Sequence, residues 1–97
     1  MKVKLDNLDQ QNFWKRIKAG ESNAFDLLYD QYVDVLFSFG LTLVKDPELV
    51  KDSIHDLFFE LYKYRKNLSD TDNIKNYLFK SLKRKIFSGQ KKKLKIS

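Results

Sequence analysis

The chain has 97 residues, which make one compact domain and exclude a two-domain enzyme with a large enclosed cavity. Because 42% of the residues are hydrophobic and 33% are charged, the chain can bury a core, which excludes a disordered tail. The net charge is +6, and the absence of cysteine excludes disulfides and thiolate metal sites. Three glycines and one proline leave few turns for a sheet, so we expect an all-α protein, a compact bundle of three to four helices.

The first two predicted helices are separated by a single glycine. The first runs from about residue 9 to residue 19, and its apolar side is Phe13, Trp14 and Ile17. Gly20 follows in the position at which glycine commonly ends a helix, and the second helix begins near Glu21–Ser22. Apolar residues then recur every three or four positions, which predicts a buried stripe of Phe25, Leu28, Tyr32, Leu36, Phe39 and Leu43.

The third predicted helix runs from Pro47 to about Lys66. Asp46 can cap its N-terminus, and Pro47 suits the first helical position. The expected core face is Val50, Ile54, Leu57, Phe58 and Leu61, with Leu68 closing the far end. A loop rich in Ser, Asp and Asn follows over Lys66–Asn73.

The fourth predicted helix is capped by Asp72 or Asn73 and ended by Gly89. Its expected inward residues are Ile74, Tyr77, Leu78, Ser81, Leu82 and Ile86. We therefore predict one helical domain over residues 1–89. The remaining residues, 90–97, are expected to form the basic start of an interdomain linker or a disordered tail.

Charge is divided unevenly along the chain. Residues 1–73 contain ten basic and thirteen acidic residues, whereas residues 74–97 contain nine basic residues and no acid. Such a division predicts two surfaces with different partners, a basic one that faces a polyanion and a mildly acidic one. The alternative is that the lysine-rich end only keeps a small domain in solution.

The third helix carries a second stripe beside its core face. Its members fall at helical spacing and are Asp52, His55, Asp56, Phe59 and Tyr62. Aromatic rings that bury area, together with charges that set the register, are typical of a protein–protein contact. The alternative is that the two rings tuck under the first helix while the charges are simply solvated.

The fourth helix carries a surplus of the opposite charge, on the side away from its core residues: Phe79, Lys80, Lys83, Arg84 and Phe87. Cations at helical spacing can contact successive phosphates, and rings can stack on unpaired bases, which predicts a single-stranded or locally opened nucleic acid as the ligand. Two alternatives stay open, a membrane-seeking amphipathic helix and a merely solvated lysine face.

The sequence offers no catalytic or metal-binding constellation. His55 is the only histidine, and with Asp52 and Asp56 it would crowd three ligands onto about one helical turn. No phosphate-binding GxxxxGK[ST] motif and no nucleophile elbow occur. We expect no enzymatic activity, no metal and no cofactor. No apolar run approaches the roughly 20 residues that cross a bilayer, and the N-terminal segment lacks a signal-peptide core, so we expect no membrane partner. The absence of cysteine favours a cytoplasmic protein, and a monomer is the default oligomeric state.

Three short blocks occur in order along the chain. The first, F-x-x-L-Y-x-x-Y, begins at Phe25; the second is VKDSIHDLF at 50–58; the third is YLF at 77–79, which leads into the basic helix. In this order and spacing they resemble the second conserved domain (region 2) of extracytoplasmic-function (ECF) sigma factors, the promoter-specificity subunits of bacterial RNA polymerase. The resemblance covers about residues 24–87.

This resemblance implies a role in transcription initiation. In the family, the helix of the second block binds the coiled coil of the β′ clamp of core RNA polymerase, which by position assigns that contact to Asp52, His55, Asp56, Phe59 and Tyr62. The following loop and basic helix read and melt the −10 promoter element and hold the non-template strand with one base flipped out. These roles fall by position on Asn67, Ser69, Asp70, Asn73, Lys80, Lys83, Arg84 and Phe87. An anti-sigma factor is a further partner that the resemblance implies.

Two positions depart from the family pattern. His55 stands where glutamine is usual, which keeps a hydrogen-bonding side chain and adds sensitivity to pH. Arg84 stands where asparagine is common, which favours a phosphate contact over a base-reading one. Family members also carry a helix-turn-helix domain that reads the −35 element, so the resemblance implies that this chain is one domain of such a factor. The alternative function is a helical nucleic-acid-binding or interaction module that is independent of polymerase.

Overall fold

The computed structural model describes residues 7–96, and the side-chain environments of residues 9–91. It is a small all-α bundle, as predicted, and no strand occurs in the described part of the chain. The helices are α1 (Asn7–Lys18), α2 (Ser22–Leu43), α3 (Pro47–Lys63) and α4 (Ile74–Ile96), with a 3₁₀ turn over Arg65–Asn67. Helices α2, α3 and α4 each pack against the other two, while α1 lies against α2 and the 3₁₀ turn.

The apolar stripes predicted from periodicity form the core. Residues spaced three and four apart on the four helices are buried: Trp14, Ile17, Leu28, Leu36, Val50, Ile54, Leu57, Leu61, Ile74, Leu78, Leu82 and Ile86. Larger side chains pack around them in partly buried positions: Phe13, Phe25, Tyr32, Phe39, Leu43, Phe58, Leu68 and Tyr77. Each fully buried Leu, Ile or Val contributes about 1.5–3 kcal/mol relative to an exposed one, so this core is the main source of stability.

The helix ends follow the predicted capping chemistry. Gly20 has a φ of 80°, the left-handed conformation that lets the chain leave α1 and turn directly into α2. The Asp46 carboxylate accepts a hydrogen bond from the Leu49 backbone N–H at 3.1 Å, which caps α3 ahead of Pro47. Of the two candidates for the cap of α4, it is Asn73 whose side chain accepts from the Asn76 N–H at 3.0 Å.

Two predicted helix ends are wrong. Helix α3 ends at Lys63 rather than near Lys66, because the chain tightens into the 3₁₀ turn; the loop is therefore residues 68–73. Gly89 does not end α4, which continues to Ile96. A Cβ at this position would lie 2.6 Å from Leu49 Cδ1, so Gly89 allows α4 to pass close to the start of α3 and does not serve as a stop signal.

Helices α2, α3 and α4 approach one another closely at Gly40, a buried residue of α2. A Cβ there would lie 2.5 Å from Val50 Cγ1 of α3 and 3.3 Å from Ile86 Cδ1 of α4. The missing side chain therefore sets how closely the three long helices meet.

Replacing Gly40 with valine should lower the free energy of unfolding. Overpacking a core costs about 1–3 kcal/mol, which exceeds the gain of up to roughly 1 kcal/mol from removing a helical glycine. Chemical denaturation of wild type and Gly40→Val measures the difference. As the control, Gly40→Val should lower the free energy of unfolding by less in a Val50→Ala background, where the clashing methyl groups are gone. Two results would contradict the packing argument: a Gly40→Val denaturation midpoint equal to that of wild type, or losses of free energy that simply add in the double variant.

Candidate protein and nucleic-acid interfaces

The predicted outer stripe of α3 is exposed along its whole length. Its five members are solvent-exposed: Asp52, His55, Asp56, Phe59 and Tyr62. Phe59 is 66% exposed and Tyr62 is 49% exposed, and because they lie three residues apart on one helix they form a contiguous apolar patch. The alternative packing, with both rings beneath the first helix, does not occur. The Tyr62 ring instead meets the Phe25 ring of α2 edge-on, with centroids 5.3 Å apart.

Tyr62 is held in place by Arg65 as well as by Phe25. The Arg65 guanidinium carbon lies 4.2 Å from the Tyr62 ring centroid, and Arg65 Nη1 donates a hydrogen bond to the Tyr62 carbonyl oxygen at 2.9 Å. The Arg65 side chain also covers the turn between α1 and α2, since a Cβ at Gly20 would lie 2.5 Å from Arg65 Nε. The C-terminal end of the α3 stripe is therefore a preorganised aromatic and cationic surface.

A groove of about 570 Å³ lies between α2 and α3 beside His55. Its floor is apolar and is made by Tyr29, Val33, Phe37 and Ile54. The sequence interpretation assigned only α3 to this surface and missed the contribution of α2. A signal was present, because Asp26, Asp30 and Asp34 recur at spacings of four along α2 and are exposed, and Asp34 lines the groove.

The outward face of α4 is basic and carries one ring. Its exposed members are Lys80, Lys83, Arg84 and Phe87. Phe87 is 40% exposed, and the Lys83 ammonium lies 5.9 Å from its ring centroid. The prediction that Phe79 shares this face is wrong: its ring stacks on Phe39 of α2, with centroids 4.4 Å apart and the planes 16° from parallel. The face therefore offers three cations and one ring over about 10 Å of helix.

A cleft of about 380 Å³ separates α3 from α4 next to this basic face. Its lining combines an apolar base, two tyrosines and one arginine: Leu57, Leu61, Leu68, Tyr64, Tyr77 and Arg84. Glu60 of α3 and Lys85 of α4 form an ion pair at the cleft, where both side chains are part of its lining. Sequence reasoning placed Arg84 on the basic face but missed the cleft, because its two walls are adjacent only after the helices pack.

The four residues of the predicted loop that were assigned to the nucleic acid are all exposed: Asn67, Ser69, Asp70 and Asn73. Three of them already have partners within the domain. Asn73 caps α4, the Ser69 carbonyl oxygen accepts a hydrogen bond from Trp14 Nε1 at 2.8 Å, and Asp70 Oδ1 pairs with Lys18 Nζ at 2.7 Å. The loop thus has a defined path along α1.

Within residues 7–96, none of the helices combines the length and apolarity needed to cross a membrane. Over the same part of the chain, no group of three or more His, Asp or Glu side chains is arranged to hold a metal ion. Comparison with protein-family models, with curated proteins and with solved structures finds no match to this chain.

The Lys18–Asp70 ion pair predicts a measurable titration. The hydrogen bond and the charge of Lys18 lower the pKa of the Asp70 carboxyl below its ordinary value, with a smaller contribution from the charge of Lys15. A carboxyl group whose pKa is lowered in the folded state stabilises the fold at neutral pH, and this stabilisation is lost as the pH falls through the lowered pKa.

We therefore expect Lys18→Met to raise the pKa of Asp70 toward the ordinary aspartate value, as measured from carboxyl ¹³C shifts during an acid titration. Lys15→Met is the matched control, because it removes an equal charge that makes no hydrogen bond to Asp70, and it should raise this pKa less. An Asp70 titration that is unaffected by Lys18→Met would contradict the assignment.

Proposed function

We propose that this domain is a transcription-initiation module of the ECF sigma region 2 type, which binds core RNA polymerase and recognises and melts the −10 promoter element. The observation that carries the proposal is the presence of two exposed, ring-bearing faces of opposite charge on neighbouring helices, acidic on α3 and basic on α4. In this proposal the domain works in the cytoplasm and contributes no catalytic group, since polymerase supplies the chemistry.

The α3 face supports the protein contact. Phe59 is the most exposed large apolar side chain of the described residues, and the exposed carboxylates of Asp52 and Asp56 precede it by seven and three positions on the same stripe. A partner that covers such a ring recovers about 1.5–3 kcal/mol of hydrophobic free energy, and aromatic anchors of this kind commonly dominate interfaces. These two carboxylates favour a cationic partner surface, so the proposal requires basic side chains on the coiled coil of the β′ clamp. An anti-sigma factor would compete for the same side chains.

The α4 face supports the nucleic-acid contact. Lys80, Lys83 and Arg84 present three cations from two adjacent turns, a geometry that follows a phosphate backbone. Phe87 offers a half-exposed ring on which a base can stack. Both features act without duplex geometry, so they favour the opened −10 strand over a paired groove.

The cleft beside Arg84 supports the extrusion of one base. Tyr64 and Tyr77 line it with aromatic surface, and Ser81 and Arg84 add hydrogen-bond donors. Taking a base out of the stack costs a few kcal/mol, and stacking with hydrogen bonds in such a cleft offsets that cost. In this assignment α3 and α4 form the walls of the cleft, Leu68 of the loop lies at its edge, and the outward cations of α4 hold the strand.

The polymerase contact is tested by retention of core RNA polymerase on the immobilised domain. Asp52→Ala combined with Phe59→Ala should reduce retention at least about tenfold, because a central aromatic anchor typically contributes 2 kcal/mol or more. Circular dichroism should be unchanged, since both side chains are exposed.

The matched control is Leu27→Ala combined with Asp72→Ala. It also removes one exposed apolar side chain and one exposed carboxylate, but neither lies on the α3 stripe, and Leu27 is 53% exposed on a different helix. This variant should retain polymerase as the wild type does. Equal retention of polymerase by the wild type, the Asp52/Phe59 variant and the Leu27/Asp72 control would contradict the assignment of the polymerase contact to α3. A folded wild-type domain that retains no polymerase would leave the polymerase-independent nucleic-acid-binding module, supported by α4 alone, as the better function.

A further inference from the structure

Helix α1 belongs to neither of the two faces, yet its polar side chains converge on the loop between α3 and α4. Gln10, Trp14 and Lys18 follow one another at spacings of four, so they lie on one side of α1. Each of the three makes a hydrogen bond more than fifty residues away in sequence. Such a row of long-range polar contacts is a specific feature of this fold and was not evident from the apolar pattern.

The three contacts are distributed over the loop and the start of α4. The Gln10 side-chain oxygen accepts from the Ile74 backbone N–H at 2.9 Å, which satisfies one of the free donors in the first turn of α4. Trp14 Nε1 donates to the Ser69 carbonyl oxygen at 2.8 Å, and Lys18 Nζ pairs with Asp70 Oδ1 at 2.7 Å. The loop has no regular backbone hydrogen bonding of its own, so side chains of α1 act as hydrogen-bond partners for the loop and for the start of α4.

Trp14 connects this row of contacts to the cleft. Its side chain is 1% exposed, and its ring meets the Tyr77 ring edge-on with centroids 5.1 Å apart. Tyr77 and Leu68, the residue before Ser69, both line the cleft between α3 and α4. One buried indole therefore contacts one wall of the cleft directly and holds the backbone beside another.

We propose that Gln10, Trp14 and Lys18 are positioning residues that hold the 68–73 loop and Tyr77 in the arrangement that lets the cleft discriminate between unpaired bases. They act through the loop and do not contact the nucleic acid. This inference rests on the proposed function, because it assigns base discrimination to the cleft and backbone affinity to the cations of α4.

A purely structural role for α1 makes a different prediction. Loss of a structural helix contact lowers stability, and it weakens binding to every oligonucleotide by the same factor. Loss of a positioning contact reduces the ratio of affinities between oligonucleotides, while the affinity for the weakest-binding oligonucleotide is unchanged. The exposed Lys18–Asp70 pair is suited to separating these effects, because surface ion pairs contribute little to stability.

The experiment uses oligo(dT) probes that differ only in one central base, with affinities measured by fluorescence anisotropy. Trp14→Phe keeps the buried ring and removes the N–H donor, Lys18→Met removes the ion pair, and Lys18→Arg restores it. We expect both of the first two variants to reduce the ratio between the strongest and weakest probes by about threefold or more, the effect of losing one hydrogen bond of ordinary strength. The weakest probe should bind with nearly the wild-type affinity, and Lys18→Arg should restore the ratio.

A second readout is independent of the probes. Amide hydrogen exchange of residues 68–73 should be faster in Trp14→Phe and Lys18→Met, while that of the α2 core should match the wild type. Lys80→Met is the matched control, since it removes one exposed cation from α4; it should weaken all probes by a similar factor and leave loop exchange unchanged.

The binding data separate a failure of the proposed function from a failure of the positioning role. A wild-type domain that binds none of the probes would overturn the proposed function itself, and this inference with it. A wild-type domain that discriminates between probes, together with variants that discriminate equally well, would overturn the positioning role alone. Equal binding of all the probes by the wild type would also overturn it, because the loop would then have no base discrimination to maintain.

Discussion

The close crossing at Gly40 is the constraint on which the rest of the molecule depends. Because α2 has no side chain there, Val50 of α3 and Ile86 of α4 approach its backbone closely, and the three long helices share one core. A domain of this size buries only about 60% of the surface of its unfolded chain, so a large part of each helix surface stays exposed. The same crossing therefore determines which residues of α3 and α4 are available to partners.

The two outer faces differ in charge because acidic and basic residues are segregated along the chain and then folded onto neighbouring helices. Asp52 and Asp56 precede Phe59 on α3, whereas Lys80 and Lys83 precede Phe87 on α4. The Glu60–Lys85 ion pair lies between the two helices at the cleft. Opposite charges on adjacent helices would allow a protein and a polyanion to bind at the same time without competing, which is the physical basis of the proposed function.

Much of this arrangement is predictable from the sequence, because burial at spacings of three and four and the caps at Gly20, Asp46 and Asn73 are local properties. The errors have a common origin in tertiary packing. Gly89 is the residue type that commonly ends a helix, but here it allows α4 to approach Leu49 closely. Phe79 was assigned to the outward face of α4, but its ring stacks on Phe39. The cleft and the contacts of α1 with the loop were not predictable, since they join residues more than fifty positions apart or walls on separate helices.

The most direct test of the two-face account is to map binding surfaces by NMR. A short single-stranded oligonucleotide is added to the ¹⁵N-labelled domain, and the amide shifts are followed residue by residue. The account predicts changes on the outward side of α4, including Lys80, Lys83 and Phe87, and in the 68–73 loop, with no change at His55 and Phe59 of α3. Shifts concentrated on the α3 stripe, or no shifts at all, would contradict the assignment of nucleic acid to α4.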